Sequence, residues 1–185
     1  MTIKKYVRTI LAVTALCCLP FSAISATSVK DVWVSMPDSI APYLNQKLRL
    51  ECADLYEMGA KAEVQNLLKG TSKIDTLSAN YLQAQLSDAC QLQLCILPRT
   101  EGDSLICMIK TFAGPEKESS VQMYSMQWQL LQTMSFSFDT FVQKPDTMSV
   151  QRYKELLASV DHYFFEAKLD PQTQCLFVNI NTVWN

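Results

Sequence analysis

Between residues 81 and 97 the chain reads YLQAQLSDACQLQLCIL, and its apolar side chains return at every second position. Leu82, Ala84 and Leu86 alternate with Tyr81, Gln83 and Gln85; Leu92, Leu94 and Ile96 then alternate with Gln91, Gln93, Cys95 and Leu97. A period of two belongs to extended strands with unlike faces, and it excludes a helix over the same residues. The pattern recurs on both sides. AEVQNLL and SKIDTL flank Gly70, SLICMIKTF follows the polar turn RTEGD, and SVQMYSMQW follows AGPEKES. Consecutive strands joined by short turns pair antiparallel, so the middle of the chain is expected to be a β meander. One face is expected to cover a helix, and the other, rich in Gln and Thr, to meet water.

Around this meander the period is helical. MPDSIAPYLNQKLRLECADLYEMG reads as helix, with Asp38 or Ser39 as a cap and Asn45 able to cap a second piece. Leu48, Cys52, Leu55 and Tyr56 share one of its faces, Gly59 suits its end, and TSVKDVWV before it reads as a short lead. DTMSVQRYKELLASV returns to helix, with Val150, Tyr153, Leu156, Leu157 and Val160 on one stripe. HYFFEAKLDPQTQCLFVNI is a hairpin turning at Asp170 and Pro171. Residues 134–143, around MSFSFDTFV, fit either a strand or an irregular aromatic segment. The expected fold is α+β: an N-terminal helix packed on an antiparallel meander, followed by a second helix and a C-terminal β-hairpin, in one domain over residues 27–185.

The first 26 residues have the layout of a secretory signal peptide: Lys4, Lys5 and Arg8, an apolar run from Ile10 to Leu19, then small residues up to a cleavage position near Ala26. The run is too short to cross a bilayer, and no longer uncharged segment follows, so no integral membrane segment is expected after removal. Lipid attachment at Cys17 or Cys18 is not expected, because Leu16 and Cys17 stand where a small residue is required. The remaining 159 residues carry 13 basic and 18 acidic side chains, a net charge of −5. Without a basic cluster, nucleic acid is not an expected partner.

Five cysteines remain after the leader, so at least one is unpaired. Cys90 and Cys95 on one strand point to opposite faces and stand about 16 Å apart, too far for a disulfide. If the RTEGD turn is centred near Glu101, Cys95 faces Cys107 and a cross-strand disulfide becomes possible in an oxidising compartment. The alternative is that these are buried thiols acting as small hydrophobes. A metal centre is not expected, since the chain has one histidine and no tight paired-cysteine loop.

His162, beside Asp161, is the single histidine. No Gly-x-Ser-x-Gly elbow is present, so Ser-His-Asp catalysis would depend on this one histidine, and Gly59, Gly70, Gly102 and Gly114 are isolated, so no phosphate-cradling loop can be assembled. The acidic pairs Asp54 with Glu57 and Glu116 with Glu118 have the spacing of solvated surfaces. Met123, Tyr124, Met126 and Trp128 make an apolar group that suits either core or contact. No catalytic, cofactor or metal residues are assigned. The candidate interaction surface is the polar sheet face and two loops: Tyr81, Gln83, Gln85, Glu101, Asp103, Glu116, Lys117, Glu118 and Trp128.

Several stretches taken together, MPDS, AEVQNLLKGTSK, the strand ending LQLCILP, and IKTFAGP followed by ESSVQMYSMQW, closely resemble a secreted family of Bacteroides-type bacteria catalogued as domain of unknown function 3256. The resemblance covers roughly residues 31–128. It implies an envelope or secreted protein and carries no catalytic or binding residues with it. The expected function is a secreted or periplasmic, non-enzymatic interaction module of the cell envelope, with an envelope protein or glycan as partner and no cofactor. The alternative is a periplasmic hydrolase acting on glycan or peptide, with His162 or an acidic pair as base. A purely structural envelope subunit is a third reading.

Overall fold

The computed structural model describes residues 27–100 and 103–184. The leader, Glu101 and Gly102 lie outside the described residues. The first element is helix α1, Val29–Ser35, in the stretch expected to be a lead. Its start is set by a capping box: Ser28 Oγ accepts from the Asp31 amide at 3.2 Å, and the Asp31 carboxylate accepts from the Ser28 amide at 3.0 Å. Those bonds with Ser28 hold the Asp31 carboxyl below its usual range. Helix α2, Gln46–Glu57, begins ten residues later than the expected helix, with Asn45 as its cap. Pro37 and Pro42 explain the difference, since each disfavours helical backbone at the residue before it. Asp38 is therefore not a helix cap.

Between the helices, residues 36–45 wrap around the side chain of Arg49, which is 1% exposed. Its guanidinium pairs with Asp38 at 2.9 Å and donates to the carbonyls of Met36 and Leu44. Trp33 Nε1 donates to the Arg49 carbonyl at 3.0 Å. Lys30 completes the link, bridging Asp54 at 2.8 Å and Glu57 at 2.7 Å on α2.

Seven strands form one antiparallel sheet in strict chain order: β1 Glu63–Gln65, β2 Thr71–Leu77, β3 Tyr81–Ser87, β4 Cys90–Leu97, β5 Leu105–Phe112, β6 Glu118–Ser125 and β7 Leu130–Met134. The meander is as the alternation requires. The β1–β2 turn is built by Asn66, whose side-chain oxygen accepts from the amides of Leu68 and Gly70 while its amide group donates to Ser72 Oγ and the Leu86 carbonyl. On one face Leu82, Leu86, Leu92, Leu94, Ile106 and Met108 pack against Val29, Val32, Trp33 and Cys52 of the helices. Each such fully buried apolar side chain contributes about 1.5–3 kcal/mol.

Over the central strands the opposite face is covered rather than open to water. Tyr81, Cys95, Cys107, Ile109 and Val121 form a second core with Ala167 and Leu169 of the C-terminal hairpin, β8 Val160–Leu169 and β9 Leu176–Trp184. Two polar residues on this face, Gln93 and Ser119, bond to the hairpin backbone. Gln93, 3% exposed, accepts from the Leu169 amide at 3.0 Å, and Ser119 Oγ accepts from the Ala167 amide at 2.9 Å. The contested segment 134–143 resolves into the end of β7 and a four-residue helix α3, Phe138–Phe141. Helix α4, Val150–Ala158, capped by Ser149, leads into β8.

Candidate functional site

The hairpin is longer than the sheet needs. Ala167, Leu169, Leu176 and Val178 rest on the second sheet core, whereas Tyr163, Phe165, Ile180 and Thr182, paired as Tyr163 with Thr182 and Phe165 with Ile180, continue the same hairpin face beyond it. This extension is roofed by α3, α4 and residues 142–148. Two bonds shape the roof: Tyr153 Oη donates to the Val142 carbonyl at 3.2 Å, and Lys144 Nζ donates to the Met148 carbonyl at 2.9 Å.

The roof does not close tightly. No residue of α4 is buried, although Tyr153, Leu156 and Leu157 all turn inward. Beneath them lies a cavity of about 350 Å³, walled by Phe138, Val142, Pro145, Met148, Tyr153, Leu156, Leu157, Val160 and Ile180, with Gln143 and Thr182 as polar points. A second cavity of about 210 Å³ shares Phe138, Leu157 and Val160 and adds Ser137 and Tyr163. An aromatic group borders both, with Phe138 to Tyr163 at 5.1 Å, Tyr163 to Phe165 at 5.7 Å and Phe141 to Phe165 at 5.8 Å between ring centroids. The larger volume falls in the range of small-molecule sites. Its lining carries no Asp, Glu, Lys, Arg or His, so it suits hydrocarbon and would penalise a buried charge or an unpaired hydroxyl.

The residues singled out from sequence fall elsewhere. Tyr81 is 3% exposed beneath the hairpin, with its hydroxyl donating to Gln83 at 3.0 Å, so the sheet-face part of the expected surface is already occupied by the chain itself. Gln85 and Lys117 line a polar recess of about 150 Å³ beside the β3–β4 turn, below the size of a usual ligand site. Lys117 also pairs with Glu166 of β8 at 3.1 Å. Asp103 and Glu118 are exposed and Glu116 is half-buried; Glu101 lies outside the described residues. Trp128 packs edge-on to Tyr124 at 5.4 Å, and its Nε1 donates to Ser35 Oγ at 3.4 Å, which makes it a strap between sheet and α1.

The pair Asp54 and Glu57 is the ion bridge to Lys30 already described, and those bonds hold the lysine above its ordinary 10.5. Glu57 and Lys30 line a cavity of about 390 Å³ with Tyr56 and Leu77, but their charges are spent on each other. His162 is an exposed residue of β8, and the side chain of Asp161 lies outside the described part. Cys95 stands opposite Cys107, as a turn centred at residue 101 requires, and both are free, buried thiols. No group of three potential metal ligands occurs among the described residues. The apolar cavity was signalled only by the stripe on α4; nothing in the stripe says that its partner surface leaves room.

The fold and its cavity define an α+β protein whose meander is covered by helices on one face and by a hairpin on the other, with a hydrocarbon-lined space at the hairpin's free end. Residues 21–184 match the family described as "Protein of unknown function (DUF3256)", and the chain belongs to it. Among solved structures it is similar to a domain of an uncharacterized protein from Porphyromonas gingivalis W83, with TM-score 0.63 and 21% identity over 82% of this chain and 79% of that one. That likeness concerns the fold. No curated protein matches the chain. No described helix is long and apolar enough to cross a membrane.

Proposed function

We propose that this is a secreted, non-catalytic binding protein of the cell envelope that holds the apolar part of a lipid-like molecule beneath α4. The observation that carries the reading is the cavity of about 350 Å³ under a helix whose apolar stripe is only half buried. Filling it would bury carbon on both ligand and protein, at about 25 cal/mol per Å² of apolar surface removed from water. A glycan fits less well, because its hydroxyls would face side chains that offer almost no partners. Secretion is supported by Lys4, Lys5 and Arg8 ahead of the apolar run in the leader.

The test is a titration of the exported, purified protein with a fluorescent long-chain fatty acid, together with mass spectrometry of its solvent extract. Saturable binding displaced by unlabelled fatty acid is expected. Absence of both saturable binding and extractable apolar material would remove the reading.

A further inference from the structure

β4 and β5 pair without a shift from Cys90 opposite Phe112 to Leu97 opposite Leu105, and this register sets Cys95 directly across from Cys107. Directly opposed residues in an antiparallel pair have Cα atoms about 4.5–5.5 Å apart. Disulfides span Cα separations of about 4.4–6.8 Å, so the register brings this pair within bridging range. Both side chains lie in the core beneath the hairpin, with Tyr81, Ile109 and Leu169. Cys52 and Cys90 belong to the helix-side core, and Cys175 is exposed on the hairpin. No other buried cysteine among the described residues shares the face of this pair.

We propose that Cys95 and Cys107 are a disulfide-forming site, closed by exchange with a disulfide-bearing oxidant, and that the β8–β9 hairpin controls access to it. One cysteine loses its proton, and its thiolate attacks a sulfur of the oxidant R–S–S–R, forming a mixed disulfide and expelling RS⁻. The second cysteine, likewise deprotonated, attacks the protein sulfur of that mixed disulfide and expels the second RS⁻. The two cysteine protons end on two RSH, the pair is oxidised by two electrons, and the oxidant is reduced by two.

In the closed fold Cys95 and Cys107 are 1% and 4% exposed beneath Ala167 and Leu169. Burial pushes both thiols up to about 11, which keeps the attacking thiolate scarce. Exchange therefore runs while the hairpin is off the sheet, before it docks in folding or during local opening. Once the bond is made, the docked hairpin shields it from reductant. This site is independent of the apolar cavity.

The test is oxidation of the reduced full chain by oxidised glutathione, followed by alkylation, digestion and peptide mapping. The expected product has lost two hydrogens and contains a peptide linking 95 to 107, absent from Cys95→Ala and Cys107→Ala. Leu169→Ala, which loosens the cover, is expected to speed closure about tenfold or more. Should the alanine variants fail to fold, Cys95→Val and the mapping of the unaltered chain decide the pairing. The proposal is overturned if both cysteines remain alkylatable after oxidative refolding, if links form indiscriminately with Cys52, Cys90 or Cys175, or if they stop at glutathione adducts. An unchanged rate in Leu169→Ala overturns control by the hairpin.

Discussion

The side-chain oxygen of Gln93, at the middle of β4, accepts the backbone amide of Leu169 at 3.0 Å across 76 positions of chain. Both ends are buried, so the bond is a point at which the C-terminal hairpin is fastened to the sheet. Gln93→Leu keeps the volume but orphans the Leu169 amide, which costs about 1–3 kcal/mol. Urea unfolding is expected to show that loss, and amide exchange should speed first in β8. An unaltered midpoint with unaltered exchange would mean that the hairpin is held by its apolar contacts alone.

Arg49 is a second buried polar anchor. Replacing it by Ala leaves the carbonyls of Met36 and Leu44 without their donor and the segment 36–45 without its centre, a loss of about 3–5 kcal/mol. Arg49→Lys is expected to restore little, because one ammonium cannot reproduce a fork that reaches Asp38 and two carbonyls together. Thermal unfolding of the two variants beside Asp38→Asn, which keeps a polar acceptor, distinguishes these contributions.

The turn at Asn66 is expected to be similarly sensitive. Asn66→Ala removes four hydrogen bonds, for a cost of about 2–4 kcal/mol. A Cβ at Gly70 would stand 3.3 Å from Asn66 Nδ2, so Gly70→Ala should disturb the same bonds and add little to Asn66→Ala in the double variant. Additive losses in denaturant unfolding would separate the two residues.

Thiol reactivity follows burial. Cys52, Cys95 and Cys107 are each pushed up to about 11 by desolvation, and Cys90 is raised by the same cause, whereas Cys175 is exposed. Native alkylation at pH 8 is expected to label Cys175 alone among these five. The raised thiols also set a sign for stability. Their contribution is complete below the ordinary 9.0 and is lost as pH rises toward about 11, because the unfolded chain gives up protons that the native state keeps. Unfolding midpoints that stay level from pH 9 to 11 would contradict this.

Filling the apolar cavity should separate binding from folding. Leu157→Phe places more carbon into the space shared by both cavities, and it is expected to raise the stability of the ligand-free protein by about 0.5–2 kcal/mol while weakening fatty-acid binding at least tenfold. Calorimetry on the same preparation reads both. Unchanged affinity would place the ligand elsewhere.

Local rules carry far in this chain. Alternation at 81–97 prescribes two strands, Asn45 marks a helix start, and a turn centred at residue 101 puts Cys95 opposite Cys107, because pairing depends only on nearby residues and on a period of two. The Ser28 and Asp31 capping box also marks the helix over 29–35, a stretch too short to show a helical period, and Pro37 and Pro42 hold the segment after it out of helix. What covers a face is a different kind of fact. Alternating Gln and Tyr on the second face of the sheet look the same whether they meet water or a hairpin arriving from far downstream. Gln93, Tyr81 and Ser119 acquire their roles only when Leu169 and Ala167 dock on them. The cavity beneath α4 lies further still from the sequence, since it is a volume left over by packing, and no single side chain encodes the space that its neighbours fail to fill.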